Sequence, residues 1–218
     1  MDTVTRIALL GDAEADVRLQ MALELGQARV EDAAAPLVAR FGVERDFGVR
    51  ETLTWAVLRI RESAMPLVRE ALDSPGWIAR LQATHTLSKL GDPDDGTRLL
   101  PLVADPVVAV ASRAWWAVAQ CGDPEVVPAL VGQLGRGSAE DRNSLYVGLG
   151  HFGADAVPAV VGALRHGSTP TVRRHAADVL GGLGSPVAET AATALVEALS
   201  DDDGDVRVGA LSALGYLR

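Results

Sequence analysis

Cysteine is almost absent from this 218-residue sequence, in which Cys121 is the only one. An intrachain disulfide is therefore impossible, and a metal site built from several cysteines is excluded as well. Aromatic residues make up only 4% of the chain, although 48% of its residues are hydrophobic. A core of this composition must consist mainly of Ala, Val and Leu, which suits closely packed helices.

Long apolar segments are also lacking. The apolar run at residues 7–10 is too short, and its surroundings too acidic, for a signal peptide, and no stretch approaches the length of a membrane span. We therefore expect a cytoplasmic protein. Lys89 is the only lysine beside nineteen arginines, which favours a GC-rich bacterial source.

Basic residues are too few to balance the acidic ones. The chain has 20 Lys and Arg against 29 Asp and Glu, and its formal net charge is −9. A field of this sign opposes general binding to nucleic acids or to anionic membranes.

What the sequence does contain is a repeat. The pattern Val-Arg-x-x-Ala-Ala-x-x-Leu-Gly recurs in diverged form every 30 to 34 residues, and regular spacing in this range is typical of stacked repeat units. Its arginine position is occupied by Arg18, Arg50, Arg80, Ala111, Arg142, Arg173 and Arg207.

Each repeat has the pattern of two helices. In residues 77–90, Leu81, Leu87 and Leu90 belong to an apolar face with helical spacing. A glycine ends this helix, as at Gly91 and Gly184, and a second helix with a proline in its early turns follows. We predict an all-α protein, an α-solenoid of about seven helix pairs with a 31-residue repeat, forming a single domain over residues 1–218. The first helices of the pairs are expected at about 14–28, 46–60, 76–90, 107–121, 138–152, 169–183 and 203–217.

The Val-Arg-x-x-Ala-Ala-x-x-Leu-Gly helix and the Gly-Asp-Pro-x-x-Val-Pro-x-Leu helix resemble the HEAT-like repeats of the phycobilisome-lyase type over nearly the whole chain. The resemblance implies that the Val-Arg helices, called inner helices here, line a concave groove. It also implies that their arginines pair with the Asp after each glycine in a ladder between repeats, which Ala111 interrupts. Such repeats serve as bilin-lyase subunits, scaffolds, protein-binding modules and appended enzyme domains, so the resemblance does not select one function.

The groove side of the inner helices can be located on a helical wheel. Positions 2, 5 and 9 after the arginine lie opposite the apolar positions 3, 7 and 10, and are therefore expected to face the groove. Three of the four tryptophans fall on this side, each with a basic residue in the same repeat. The candidate binding residues are Phe47, Trp55, Arg59, Trp77, His85, Lys89, Arg113, Trp116, Gln120 and His151.

Two interpretations of these aromatic residues remain open at this point. They either fill space between neighbouring helices, or they form a binding patch, since aligned exposed aromatics are uncommon. Trp115 and Tyr146 occupy position 4 of their repeats and are expected to pack at the edge of the core.

No catalytic or metal-binding motif is found. Helix spacing keeps His85, His151 and His175 too far apart to share a metal, and residues 200–205 lack the ligand spacing of a calcium loop. No phosphate loop or nucleophile elbow is present, and Cys121 falls on a core position. We expect no metal and no cofactor, and a protein that is not an enzyme; His85, His151 and Asp178 are the candidates for a hidden acid or base.

The leading hypothesis is a non-catalytic binding or scaffold module whose groove holds a protein segment that is acidic or rich in aromatic residues. The alternative is a small-ligand protein resembling the bilin lyases, in which an anionic conjugated molecule stacks on Trp55 and Trp116 beside Arg59 and Arg113. Nucleic-acid binding is disfavoured by the net charge. The last helix has apolar residues up to Leu217 and no obvious polar cap repeat after it. Two alternatives remain open: a homodimer through that end, or a cap formed by Tyr216 and Arg218 folding back.

Overall fold

A computed structural model describes residues 1–183 and 191–216; Gly184 and Leu217 lie outside this part of the chain. Every regular element in the described ranges is helical, with fourteen α-helices linked in places by short 3-10 segments. The helices are α1 Thr3–Leu9, α2 Ala15–Gln27, α3 Ala34–Arg40, α4 Phe47–Arg59, α5 Arg61–Glu70, α6 Trp77–Ser88, α7 Gly96–Leu99, α8 Val108–Cys121, α9 Val127–Val131, α10 Ala139–His151, α11 Val157–His166, α12 Pro170–Gly182, α13 Ala192–Ala198 and α14 Gly204–Tyr216.

Within each of the two compact units of the chain, residues 1–90 and 91–218, the helices alternate between two stacks. The even-numbered helices carry the repeated arginine position and are the inner helices, whereas the odd-numbered helices are the outer ones. Inner helices pack on inner helices, as α2 does on α4 and α12 on α14, and outer helices on outer ones, as α3 does on α5. This arrangement confirms the predicted α-solenoid.

The contacts group the chain into two compact units, Met1–Leu90 and Gly91–Arg218. The first unit contains α1 to α6, three helix pairs, and the second unit contains α7 to α14, four helix pairs, among the described helices. The single domain expected over the whole chain stays a prediction.

Small aliphatic side chains form the core of each unit, as the composition indicated. Leu25 and Leu53 are fully buried in the first unit, and Leu149 and Leu180 in the second. Burying a leucine side chain stabilises a fold by roughly 1.5–3 kcal/mol, so these residues hold the inner helices in place.

The repeated arginine supports the connection that precedes its own helix. In each of the six repeats that keep it, a guanidinium nitrogen donates to a main-chain carbonyl five or six residues earlier. These carbonyls lie between helices and need a partner that the helices do not supply. The accepting residues are Asp12 and Ala13 for Arg18, Arg45 for Arg50, Ser74 and Pro75 for Arg80, Gly137 for Arg142, Gly167 for Arg173, and Asp201 and Asp202 for Arg207.

Two of these arginines also bind a carboxylate of the next repeat. Arg18 makes two bonds to Glu44, at 2.7 and 2.8 Å, and Arg173 makes two to Asp201, at 2.7 and 2.9 Å. Both acids stand before the next inner helix rather than after a glycine, so the expected ladder is wrong for these repeats. Burial opposes ionisation of Glu44, but the bonds from Arg18, the Asp46 N–H and Arg40 lower its pKa to about 2.

The repeat without the arginine is supported in another way. The carbonyl of Asp105, six residues before Ala111, accepts a hydrogen bond from the guanidinium of Arg136. Arg136 lies in the connection before α10, so the next repeat supplies the bond that Ala111 cannot. Arg136 thus provides a bond between repeats at the place where Ala111 interrupts the series of arginines.

Within the described ranges no single helix combines the length and apolar character of a membrane span. One pair of consecutive helical segments, residues 139–151 and 153–166, has the required length and apolar character only when the two are counted together, and the pair is bent by 115°.

Candidate binding surfaces

The first unit exposes three aromatic side chains on its inner helices. Phe47 and Trp77 begin α4 and α6, which are in contact with each other, and they are 68% and 45% exposed. Trp55 in the middle of α4 is 38% exposed. In a chain with so few aromatic residues, this grouping on one type of helix favours a binding surface over packing.

Arginine side chains lie over two of these rings. The guanidinium carbon of Arg59 is 5.8 Å from the ring centroid of Trp55, and that of Arg50 is 5.8 Å from the centroid of Phe47. Exposed cation–π pairs of this kind contribute about 0.5–1 kcal/mol and hold the two groups beside one another. Phe47, Arg50, Trp55, Arg59 and Trp77 are called the aromatic surface below.

The position of Trp55 depends on a glycine of the preceding inner helix. A Cβ built on Gly26 of α2 would lie 2.6 Å from Cζ3 of the Trp55 ring, which is closer than side chains approach. Gly26 therefore lets the indole rest against α2 while its outer part stays exposed.

His85 does not belong to the exposed part of this surface. Its side chain is buried, with the whole residue 8% exposed, and its Nε2 lies 2.9 Å from a carboxylate oxygen of Glu51 on α4. The expectation that His85 lies open in the groove is therefore corrected, because the neighbouring inner helix covers it. Lys89, directly after α6, is exposed.

The second unit has three clefts on its inner helices. The first cleft, of about 370 Å³, lies between α8 and α10 and is lined by Arg113, Trp116 and Glu140 among others. The second, of about 580 Å³, lies near the starts of α12 and α14 and includes Asp205. The third, of about 620 Å³, lies towards the ends of the same helices and includes Tyr146 and Tyr216.

Carboxylates outnumber guanidinium groups in the lining of these clefts. The acidic residues are Glu140, Asp141, Asp178, Asp203 and Asp205, and the basic ones are Arg113, Arg142 and Arg174. The imbalance holds for the whole second unit, whose 9 basic and 16 acidic residues give it −7 of the chain's net charge of −9. The clefts are therefore acidic, unlike the aromatic surface of the first unit.

Tyr146 is a cleft residue that the sequence did not identify. It was expected to pack at the edge of the core and is half-buried, and its hydroxyl stands over Gly182 of α12. A Cβ at Gly182 would lie 1.8 Å from that hydroxyl oxygen, so the glycine is needed for the ring to reach the cleft. A glycine at position 9, where other repeats carry larger residues, is the sequence signal for this arrangement.

The remaining predicted residues of the second unit have different environments. Trp116 is half-buried in the first cleft and Arg113 is exposed beside it. Gln120 is half-buried and His151 is exposed with its ring edge-on to Phe152, and neither lines these three clefts. Trp115 is fully buried and its Nε1 donates to the Val103 carbonyl at 2.9 Å, which confirms its packing role.

His175 links repeats instead of serving as a ligand or base. Its Nδ1 accepts from the Gly135 N–H at 3.1 Å, and its Nε2 lies 2.9 Å from the Arg142 carbonyl, which it meets as a donor. Burial lowers the pKa of His175 to about 4, so the ring is neutral near pH 7. Gln82, at the same position of its repeat, donates to the Arg50 carbonyl at 3.0 Å. This position of the repeat therefore has the same structural role in two repeats. No group of three or more potential metal ligands occurs among the described residues.

Comparisons with known proteins agree with this architecture. Residues 137–215 match the family of HEAT repeats. A search of curated proteins finds no significant match.

Solved structures show the same fold over the full length. The complex of CpcE and CpcF of phycocyanin lyase from Nostoc sp. PCC7120 is 18% identical, with a TM-score of 0.50, covering 100% of this chain and 95% of that one. An engineered protein is 15% identical, with a TM-score of 0.50, covering 98% of this chain and 67% of that one. At these identities the likeness concerns the fold alone. Residues 137–215 thus match HEAT repeats, and the chain as a whole is similar in fold to the CpcE–CpcF complex of phycocyanin lyase.

Proposed function

We propose that the chain is a non-catalytic binding module that holds a segment of a partner protein on its inner helices. The observation that carries the proposal is the aromatic surface of the first unit. Its three rings are between 38% and 68% exposed, and arginines lie over two of them. Large rigid rings with cationic neighbours are the residue types that dominate protein interfaces.

The chemistry of this surface selects the partner. Indole and phenyl faces bury the apolar side chains of a partner, and the exposed Arg59 offers a charge to a carboxylate. The partner segment is accordingly acidic, aromatic-rich or both. A cytoplasmic location belongs to the same proposal and is supported by a single cysteine that is buried as a thiol.

A peptide titration tests this function. The probe is a twelve-residue peptide with two phenylalanines among glutamate and serine, and its affinity is measured by calorimetry for the unaltered chain and for Trp55→Ala with Trp77→Ala. We expect the double variant to bind at least about 30-fold more weakly, equivalent to about 2 kcal/mol, because hot-spot aromatics carry most of an interface's energy.

The matched control is Val4→Ala, which removes an exposed apolar side chain, 78% exposed, from the outer helix α1. It should leave the affinity unchanged. Equal affinity of the tryptophan variant and the unaltered chain, with circular dichroism showing an intact helical fold, would refute the proposal.

A second candidate function is favoured by the same Trp55–Arg59 pair. An anionic conjugated small molecule stacks on the ring and is neutralised by the guanidinium; Trp116 and Arg113 line one cleft and offer a comparable pair in the second unit. Saturable quenching of tryptophan fluorescence by a linear tetrapyrrole, lost in Trp55→Ala, would support this function instead. Quenching that rises linearly without saturation would dismiss it.

The homodimer also stays a proposal. The exposed apolar residues Val208 and Leu211 of α14, 54% and 63% exposed, support it. Light scattering that gives the monomer mass at every concentration would remove it.

A further inference from the structure

The clefts of the second unit have a chemistry that the aromatic surface lacks. Aromatic side chains line the first and third clefts, namely Trp116, Tyr146 and Tyr216. Tyr216 is 74% exposed and Trp116 is half-buried, so ring faces are accessible there. Carboxylates line the same clefts as these rings, Glu140 and Asp141 in the first cleft and Asp178 in the third, whereas in the first unit arginines lie over two of the three rings.

Two of the carboxylates occupy the same position in different repeats. Glu140 in α10 and Asp205 in α14 each stand two residues before the repeated arginine position, and both are exposed at cleft walls. One inner helix, α12, lies between their helices in the order of the repeats. Since neighbouring packed helices are about 8–10 Å apart, the two acids are separated by roughly 16–20 Å.

Two of the three arginines that line the clefts have protein partners. Arg174 donates to Asp178 at 2.9 Å and to the Asp205 carbonyl at 3.0 Å, and Arg142 donates to the Gly137 carbonyl. Arg113 of the first cleft is exposed, but the five carboxylates of the clefts outnumber the three arginines, so a ligand meets a net negative field. With a net charge of −7, the second unit attracts cations and repels the acidic segment that suits the first unit.

We propose that the second unit carries a separate docking surface, formed by Trp116, Glu140, Tyr146, Asp205 and Tyr216, for an extended protein segment with arginine side chains. A guanidinium suits this surface because it forms paired bonds to a carboxylate, as at Glu140 and Asp205, and stacks on an aromatic face, as at Trp116 in the cleft of Glu140. An ammonium does both less well. An extended chain advances about 3.3 Å per residue, so arginines five or six residues apart reach Glu140 and Asp205 together.

Calorimetry with a twelve-residue peptide tests the proposal. The peptide carries two arginines six residues apart among serines and glycines, and a second peptide has glutamates at the same two places. We expect the arginine peptide to bind and the glutamate peptide not to. Glu140→Gln with Asp205→Asn should weaken the arginine peptide roughly tenfold, since two charge contacts are lost without a change in shape.

The control variant makes the same two chemical changes elsewhere in the second unit. Glu125 and Asp155 are exposed and stand just before the outer helices α9 and α11. The variant Glu125→Gln with Asp155→Asn therefore removes the same net charge as the cleft variant but leaves the clefts unaltered. It should leave the affinity within about twofold, which is the size expected from screened distant charges. An equal loss in the control variant would show attraction by net charge alone and would overturn the proposal, as would an unchanged affinity of the cleft variant.

The outcome is independent of the function proposed for the first unit. Trp55→Ala with Trp77→Ala should leave the arginine peptide unaffected, because those residues belong to the aromatic surface. A parallel loss for both peptides in that variant would show that there are not two separate surfaces.

Discussion

Single residues in this chain act mostly by joining one repeat to the next. His175 shows how: both of its ring nitrogens bind main-chain atoms of the preceding repeat, and burial keeps the ring neutral. Gln82 does the same for its own repeat with an amide. Polar residues at this position are therefore links between inner helices, which explains why a histidine so close to a cleft offers no base for chemistry.

The first prediction concerns the pH dependence of stability. The pKa of His175 is about 4 in the folded chain, against 6.5 for a histidine side chain in water, so the unfolded state binds the proton first as the pH falls. Burial lowers this pKa most; the Arg142 carbonyl and Asp178 favour the proton, and the charge of the Arg142 guanidinium opposes it. The contribution of the neutral His175 to the free energy of unfolding is fully present above pH 6.5 and falls by about 3 kcal/mol towards pH 4.

His175→Gln should remove that slope, because an amide does not titrate there and still supplies a donor and an acceptor. The measurement is urea unfolding at several pH values between about 4 and 7, the range over which the histidine titrates. The exposed His166, changed to Gln, is the control and should keep the slope. If His175→Gln retains the slope of the unaltered chain, another group is responsible.

A second prediction at this scale concerns Cys121. Its thiol is 7% exposed, its Sγ lies 3.4 Å from the Ala117 carbonyl, and burial together with Asp95 and Asp92 raises its pKa to about 11. Because the thiolate is the reactive form, an alkylating reagent at about pH 8 should modify the folded chain far more slowly than the chain in guanidinium. Mass spectrometry over time measures both rates; similar rates would mean that the thiol is open to solvent.

At the scale of helices and their connections, the sequence predicted the positions of the inner helices well. The recurring arginine and the glycine ends located the inner helices, because a helix needs an apolar face and a stop signal that are both local. The partners of the arginines were not local and were missed: Glu44 and Asp201 stand in connections whose path the sequence pattern does not describe. That Tyr146 also lines a cleft was missed for a related reason, since the direction of its ring depends on a glycine in the following repeat.

Arg136 gives the prediction that belongs to this scale. It replaces the missing arginine at 111 by bonding to the Asp105 carbonyl, so Arg136→Ala should destabilise the second unit by about 1–2 kcal/mol. Arg165→Ala, which removes an exposed pair with Glu197 on the outer helices, is the control and should destabilise the second unit less than Arg136→Ala does. Equal effects in thermal or urea unfolding would show that the carbonyl does not depend on Arg136.

For the molecule as a whole, charge and aromatic residues are distributed unevenly. The first unit has a formal charge of −2 and an aromatic surface with arginines, whereas the second has −7 and clefts with carboxylates. The net charge and the aromatic content of the whole chain do not show this difference. From the basic residues near the tryptophans, the sequence predicted a single partner segment, acidic or rich in aromatic residues. The two units together suit a partner with segments of opposite charge, or two partners.

The four tryptophans allow the most direct test, because each gives its own indole N–H signal in a ¹H–¹⁵N spectrum of the whole chain. Titration with the phenylalanine–glutamate peptide is predicted to shift the signals of Trp55 and Trp77, and titration with the arginine peptide that of Trp116. The buried Trp115, bonded to the Val103 carbonyl, should stay in place in both titrations. Signals of Trp55 and Trp77 that do not move while the acidic peptide binds would contradict the account.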